Sequence, residues 1–100
     1  MPDLQIFDPT FSNLQRAMDV ATKTQAVIAH NIANANTPGY EAMDFDEVLG
    51  RAIKRAEGKG VVIEEEMAAL TENSIRYSAY VKILSSKTSA LRSIATQGRK

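Results

Sequence analysis

The chain has 100 residues, one histidine, no cysteine, and twelve cationic against twelve acidic side chains, for a formal net charge of zero. That length holds one domain, the lack of cysteine excludes disulfide frameworks and thiolate metal sites, and the zero balance argues against nucleic acid as the main partner, because phosphate binding needs a cationic excess. Hydrophobic residues make up 44% of the chain, but only 6% are aromatic and many of the rest are alanine, which is thin for an independent core.

The first residues, MPDLQIFDPTF, hold no basic stretch leading into an apolar one, so no cleavable secretory signal is expected. No apolar run reaches the length of a membrane span, so direct membrane insertion is not expected. From Phe11 the apolar spacing becomes regular: Phe11, Leu14, Met18, Ala21, Gln25, Ile28, Ile32 and Ala35 follow steps of three and four. This is a heptad seam and predicts a helix over about 9–35. Asp8 or Thr10 can cap it, and Pro9 suits a first turn.

HNIANANTPGY, residues 30–40, ends that helix with more polar chemistry than a stop requires. Pro38 forces Thr37 out of helical geometry, and Thr37-Pro38-Gly39-Tyr40 fits a type II turn with Gly39 at positive φ. Asn34 or Asn36 can take the left-handed conformation at a helix end. The remaining amides, Asn31 among them, are expected to bond nearby backbone or another chain.

A turn and loop region is expected over 36–63. Within it, DFDEVLGRAIKRAE can form a short amphipathic helix with Phe45, Val48, Leu49, Ala52, Ile53 and Ala56 on one face. Asp44 and Glu47 resemble its capping box. The GKG at 58–60 reads as a turn. A second long helix is predicted over 64–97, with the seam Met67, Leu70, Ser74, Tyr77, Val81, Leu84, Thr88, Leu91 and Ala95. Glu64, Glu65 and Glu66 crowd its first turn, with Lys87, Arg92, Arg99 and Lys100 toward its end, which suits the helix dipole; Gly98 is a stop signal.

The fold class is therefore all-α: a single domain over 1–100, with long N- and C-terminal helices pairing as an antiparallel coiled coil. Both stripes are narrow, near two positions in seven, so the pair is expected to complete its core against other chains and to be partly disordered as a monomer, especially at both ends; an independent small bundle is the other arrangement the pattern allows. No catalytic, cofactor or metal site is expected. His30 stands alone, and neither Asp44, Asp46 and Glu47 nor the Glu64–Glu66 run is accompanied by a nucleophile, phosphate loop or ligand spacing.

NIANANTPGY closely resembles the N-terminal signature of the bacterial flagellar axial proteins, the rod, hook and hook-associated subunits. LTENSIRYSAYVKILSSKTSALRSIA looks like their matching C-terminal helix, so the resemblance covers most of the chain. Only about two dozen residues separate the helices, which leaves no room for the β-rich insertions of hook and distal-rod members. EAMDFDEVL and VVIEEEM resemble the B-type proximal rod proteins, with the C-type as near alternative. The resemblance implies a structural rod subunit that polymerises helically, linking the membrane-embedded MS ring to the distal rod and hook for motility. Its implied partners are other rod subunits and itself, the MS-ring junction proteins and the flagellar type III export apparatus, and its implied place is the periplasmic rod of the basal body. It further implies that Phe11, Leu14, Met18, Ile28 and Ile32 pack against Leu70, Tyr77, Val81, Leu84 and Leu91. Asn31, Asn34, Asn36, Thr37, Pro38, Gly39 and Tyr40 would shape the junction that meets the next subunit. A soluble helical adaptor of the export system is the other class of function the pattern allows.

Overall fold

The structure is a computed structural model that describes residues 9–56 and 60–97. It contains, in chain order, α1 (Pro9–Ala33), β1 (Met43–Asp46), β2 (Arg51–Lys54) and α2 (Ile63–Gln97). Two long helices joined by a short strand-containing loop make an all-α hairpin in plan. Thr10 lies inside α1 and does not cap it. Asp8, Gly98, Arg99 and Lys100 lie outside the described residues, as does most of the GKG turn.

The helices run antiparallel. Asn31 near the end of α1 meets Glu66 at the start of α2. Asn73 Nδ2 donates to the Ala21 carbonyl at 2.8 Å, and Leu84 borders one cavity with Phe11, Leu14 and Met18. The molecule is elongated, 66 × 24 × 15 Å. By these pairings Pro9 lies opposite about residues 85–88, so the last turns of α2 pass beyond the first described residue of α1.

The rows that face inward differ in part from the expected seam. On α1, Leu14, Ala21 and Ile28 are buried at intervals of seven, as the heptad spacing requires. The alternate row is Thr24 and Asn31, where the spacing had suggested Gln25 and Ile32; Gln25 is exposed and Ile32 half-buried. On α2, Leu70, Leu84 and Leu91 are half-buried, and Tyr77 of the same row is 37% exposed. The other inward row is Glu66, Asn73, Tyr80 and Lys87, whereas Met67, Ser74, Val81 and Thr88 are exposed. Each of these four sits one residue later, about 100° further round the helix. A polar inward row explains the offset: a pattern search for apolar residues selects the neighbours instead.

The short helix expected over 44–56 is replaced by an antiparallel β-hairpin, with Met43 opposite Lys54, Asp44 opposite Ile53, Phe45 opposite Ala52 and Asp46 opposite Arg51. Gly50 explains the outcome. Its φ is +70°, unusable in a helix but suited to the last position of a four-residue hairpin loop. Asp46 Oδ1 accepts from the Leu49 N–H at 2.9 Å, and the Gly50 N–H donates to the Asp46 carbonyl at 2.8 Å. Asp44 consequently caps nothing; it pairs with Arg55. The hairpin folds back along the helices, so that Phe45 to Val48 border a groove with Ala17, Val20, Thr24, Asn73 and Tyr80.

Candidate functional site

The stretch 30–40 forms two consecutive local stops. The Asn34 N–H donates to the His30 and Asn31 carbonyls at 3.1 and 3.2 Å. The Asn34 side chain closes the same end: Nδ2 donates to the His30 carbonyl at 2.9 Å, and Oδ1 accepts from Thr37 Oγ1 at 3.1 Å. No non-glycine residue among those described has positive φ, so neither Asn34 nor Asn36 takes the left-handed conformation. Asn34 instead satisfies orphan helix carbonyls with its amide. The turn follows, with Tyr40 N–H donating to the Thr37 carbonyl at 3.1 Å and Gly39 at φ 76°, the geometry of a type II turn. Thr37, Pro38, Gly39 and Asn36 are exposed.

Asn31 is fully buried, at 0% exposure. Its Nδ2 donates to Glu66 Oε1 at 2.8 Å and to the Met43 carbonyl at 2.9 Å. Its Oδ1 accepts from the Tyr40 hydroxyl at 2.7 Å and from the Met43 N–H at 2.9 Å. Two donors and two acceptors are the full capacity of a side-chain amide. One residue thus fastens the end of α1 to the turn, to β1 and to the first turn of α2. The sequence left this amide to nearby backbone or to another chain; all four bonds seen here lie within its own chain.

Glu66 extends the network. Its side chain is 3% exposed, and Oε2 accepts from Arg55 Nη1 at 3.0 Å. Arg55 also donates through Nε to Asp44 Oδ1 at 3.0 Å and through Nη2 to the Met43 carbonyl at 3.3 Å. Hydrogen bonds to Asp44 and then Glu66 raise the Arg55 pKa further above its ordinary value, against the opposing effect of burial. Burial first and the Glu66 charge second raise the Tyr40 pKa, with Arg55 pulling the other way. His30 is exposed, and its ring meets that of Tyr40 edge-on at 5.6 Å.

Among the described residues, no buried side-chain nitrogen or oxygen lacks a partner. Such a closed network specifies one geometry rather than offering a reactive group. Among the same residues, no cluster of three or more His, Cys, Asp or Glu is arranged to hold a metal ion, and no helix is long and apolar enough to cross a membrane.

The structure therefore brings Asn31, Asn34, Thr37 and Tyr40 together and leaves Asn36 and Pro38 at the surface. Leu14 and Ile28 are buried, whereas Phe11, Met18, Ile32, Leu70, Leu84 and Leu91 are half-buried; Tyr77 and Val81 are just exposed. Sequence reasoning missed Arg55, and it took Glu66 as a dipole residue only. The available signal was the seven-residue spacing of Glu66, Asn73 and Tyr80, parallel to that of the leucines.

Residues 10–40 match the family model described as "Flagella basal body rod protein". Over 129 aligned positions the chain is 27% identical to the flagellar basal body rod protein FlgB of Bacillus subtilis (strain 168), spanning 96% of this chain and all of that protein. The aligned length exceeds this chain's own, so the Bacillus protein carries residues that this chain lacks. The corresponding protein of Aeromonas hydrophila is 26% identical over 120 positions, covering 85% of this chain and 91% of that one. That of Escherichia coli (strain K12) is 53% identical over a shorter stretch of 32 residues, which is 23% of its length.

Proposed function

We propose the following role for this chain, which belongs to the flagellar basal-body rod proteins and matches their B-type members: it is a structural subunit that polymerises helically. In that role it would stand in the proximal rod, beside the MS ring, and transmit rotation toward the distal rod and hook. Other rod subunits, copies of itself and the MS-ring junction proteins would be its neighbours. Delivery would be through the flagellar type III export apparatus, without signal cleavage. It would act without catalysis.

One observation carries the assembly reading. The intramolecular pair leaves a second apolar stripe of α2 uncovered: Met67 is 49% exposed and Val81 38%, with Ile63 at 40% on the same flank. Ile75, Ile83 and Ile94 add further exposed apolar surface to α2. So many large apolar side chains left exposed along one helix of a small protein suit a site of association. The heptad seam noted in the sequence is real as an apolar pattern, but half of it faces away from α1. That outward half is available to neighbouring helices.

The test is to replace Met67 and Val81 together by Asp in cells that build flagella with this chain. The expected outcome is loss of motility and of the chain from purified basal bodies, with an unchanged melting temperature of the isolated protein. A soluble adaptor would instead be absent from wild-type basal bodies. Full motility of the double variant would contradict the reading.

A further inference from the structure

We propose that the tip of the β-hairpin docks laterally into a groove on the outer face of α2 in a second copy of this chain. The proposal rests on the polymerising role above and names the contact that would carry part of it.

The tip is unusually exposed. Val48 is 92% exposed and Leu49 55%, although the loop is held firmly by Gly50 and by the Asp46 side chain. A branched apolar pair presented on a fixed turn loses little freedom on docking. Asp46 and Glu47 precede it.

The groove lies on α2 and is lined by Leu70, Ser74, Ile75, Ser78, Ala79 and Lys82, with a volume of about 490 Å³. Ser74, Ser78 and Ala79 are small, so an apolar side chain can approach the helix closely. Ile75 is 67% exposed and offers an apolar wall. Lys82 closes one end and complements the acids beside the tip. The same flank of α2 continues into the uncovered Met67 and Val81 stripe.

Geometry selects a neighbouring copy rather than the tip's own chain. The hairpin tip shares its groove with Asn73, Arg76 and Tyr80 of α2. At 100° per residue, the outer groove is centred roughly 180° round the helix from those residues. Tip and groove therefore stand on opposite flanks at a similar level along the molecule. A contact between two different surfaces of identical chains is heterologous, and without closure it builds an open array. The contact is small, well below the roughly 1,000 Å² expected of a stable isolated pair, so it acts in sum with other contacts.

Because the chain has no cysteine, engineered thiols report the contact directly. The variants are Leu49→Cys, Ser78→Cys and the double variant, each expressed as the full chain in cells that build flagella with it and exposed to a mild oxidant. The double variant is expected to give a ladder of covalent multimers. Each single variant is expected to stay monomeric, and the two singles expressed together should stop at a covalent dimer. No ladder, or dimers from a single variant, would overturn the proposal. Charge reversal provides the second arm: Lys82→Glu should reduce motility, and Glu47→Lys in the same chain should restore it in part. Failure of the ladder with the chain present in basal bodies rejects this contact alone, whereas absence of the chain from basal bodies rejects the rod reading.

Discussion

The two ends of this helical hairpin are held by opposite means. At the junction end, a buried amide, a carboxylate and a guanidinium join α1, the hairpin and α2 through hydrogen bonds with no buried side-chain polar atom unsatisfied among the described residues. At the far end, Phe11, Leu14 and Met18 meet Leu84 across a cavity of about 250 Å³. The first arrangement fixes a unique geometry, because a network of this kind tolerates few alternatives. The second rests mainly on apolar packing, which accepts volume-conserving changes more readily. A subunit built this way keeps one end rigid and leaves the other adaptable until neighbours surround it.

The contrast makes Asn31→Asp the most damaging conservative change. Asp keeps the shape but has no donor, and it places a second carboxylate against Glu66. Loss of two buried bonds together with like-charge repulsion should cost about 3 kcal/mol or more, read as a large fall in melting temperature by circular dichroism. Leu84→Ala at the far end should cost less, about 1–2 kcal/mol, because the side chain is only half-buried and beside an existing cavity. If Leu84→Ala proved the more damaging of the two, the division between the ends would be wrong.

Gly39→Ala should cost about 1 kcal/mol. The cost comes from φ alone, at 76°, since an added Cβ meets nothing within 4 Å. Tyr40→Phe should be the mildest at neutral pH, about 1 kcal/mol or less, because Asn31 Oδ1 keeps the Met43 N–H. Its pH dependence is more informative. Burial and Glu66 raise the Tyr40 pKa above 10.0, so the fold favours the protonated phenol. That contribution is complete below the unfolded value and is lost as pH rises through the folded one. Wild type should therefore lose stability above pH 10 more steeply than Tyr40→Phe, as followed by denaturant melts across the alkaline range.

The two ends also differ in how far the sequence disclosed them. The far end was legible, because Phe11, Leu14, Met18, Leu84 and Leu91 carry an apolar period that burial follows. The turn at Thr37–Tyr40 was legible too, since proline and glycine constrain φ directly. The junction network was not, because hydrophobic patterning passes over buried polar residues. Glu66 reads as a favourable first-turn charge, and Asn31 as a surplus amide, until Arg55 is brought between them by a hairpin. That hairpin was itself hidden: Phe45, Val48, Leu49, Ala52 and Ile53 suit one face of a helix, and only Gly50 argues otherwise. The surplus of asparagine in residues 30–40 now divides by role. Asn31 locks the junction, Asn34 closes the helix, and Asn36 is exposed.

Amide hydrogen exchange on the isolated full chain tests the central claim, that the junction network anchors the subunit while the far end depends on neighbours. The slowest exchange should fall on the Met43 and Arg55 N–H groups, the last turns of α1 and residues 67–73 of α2. Residues 88–97 should exchange fastest within α2, and assembly should slow them most. Uniform protection along both helices, or protection greatest at the far end, would contradict the account.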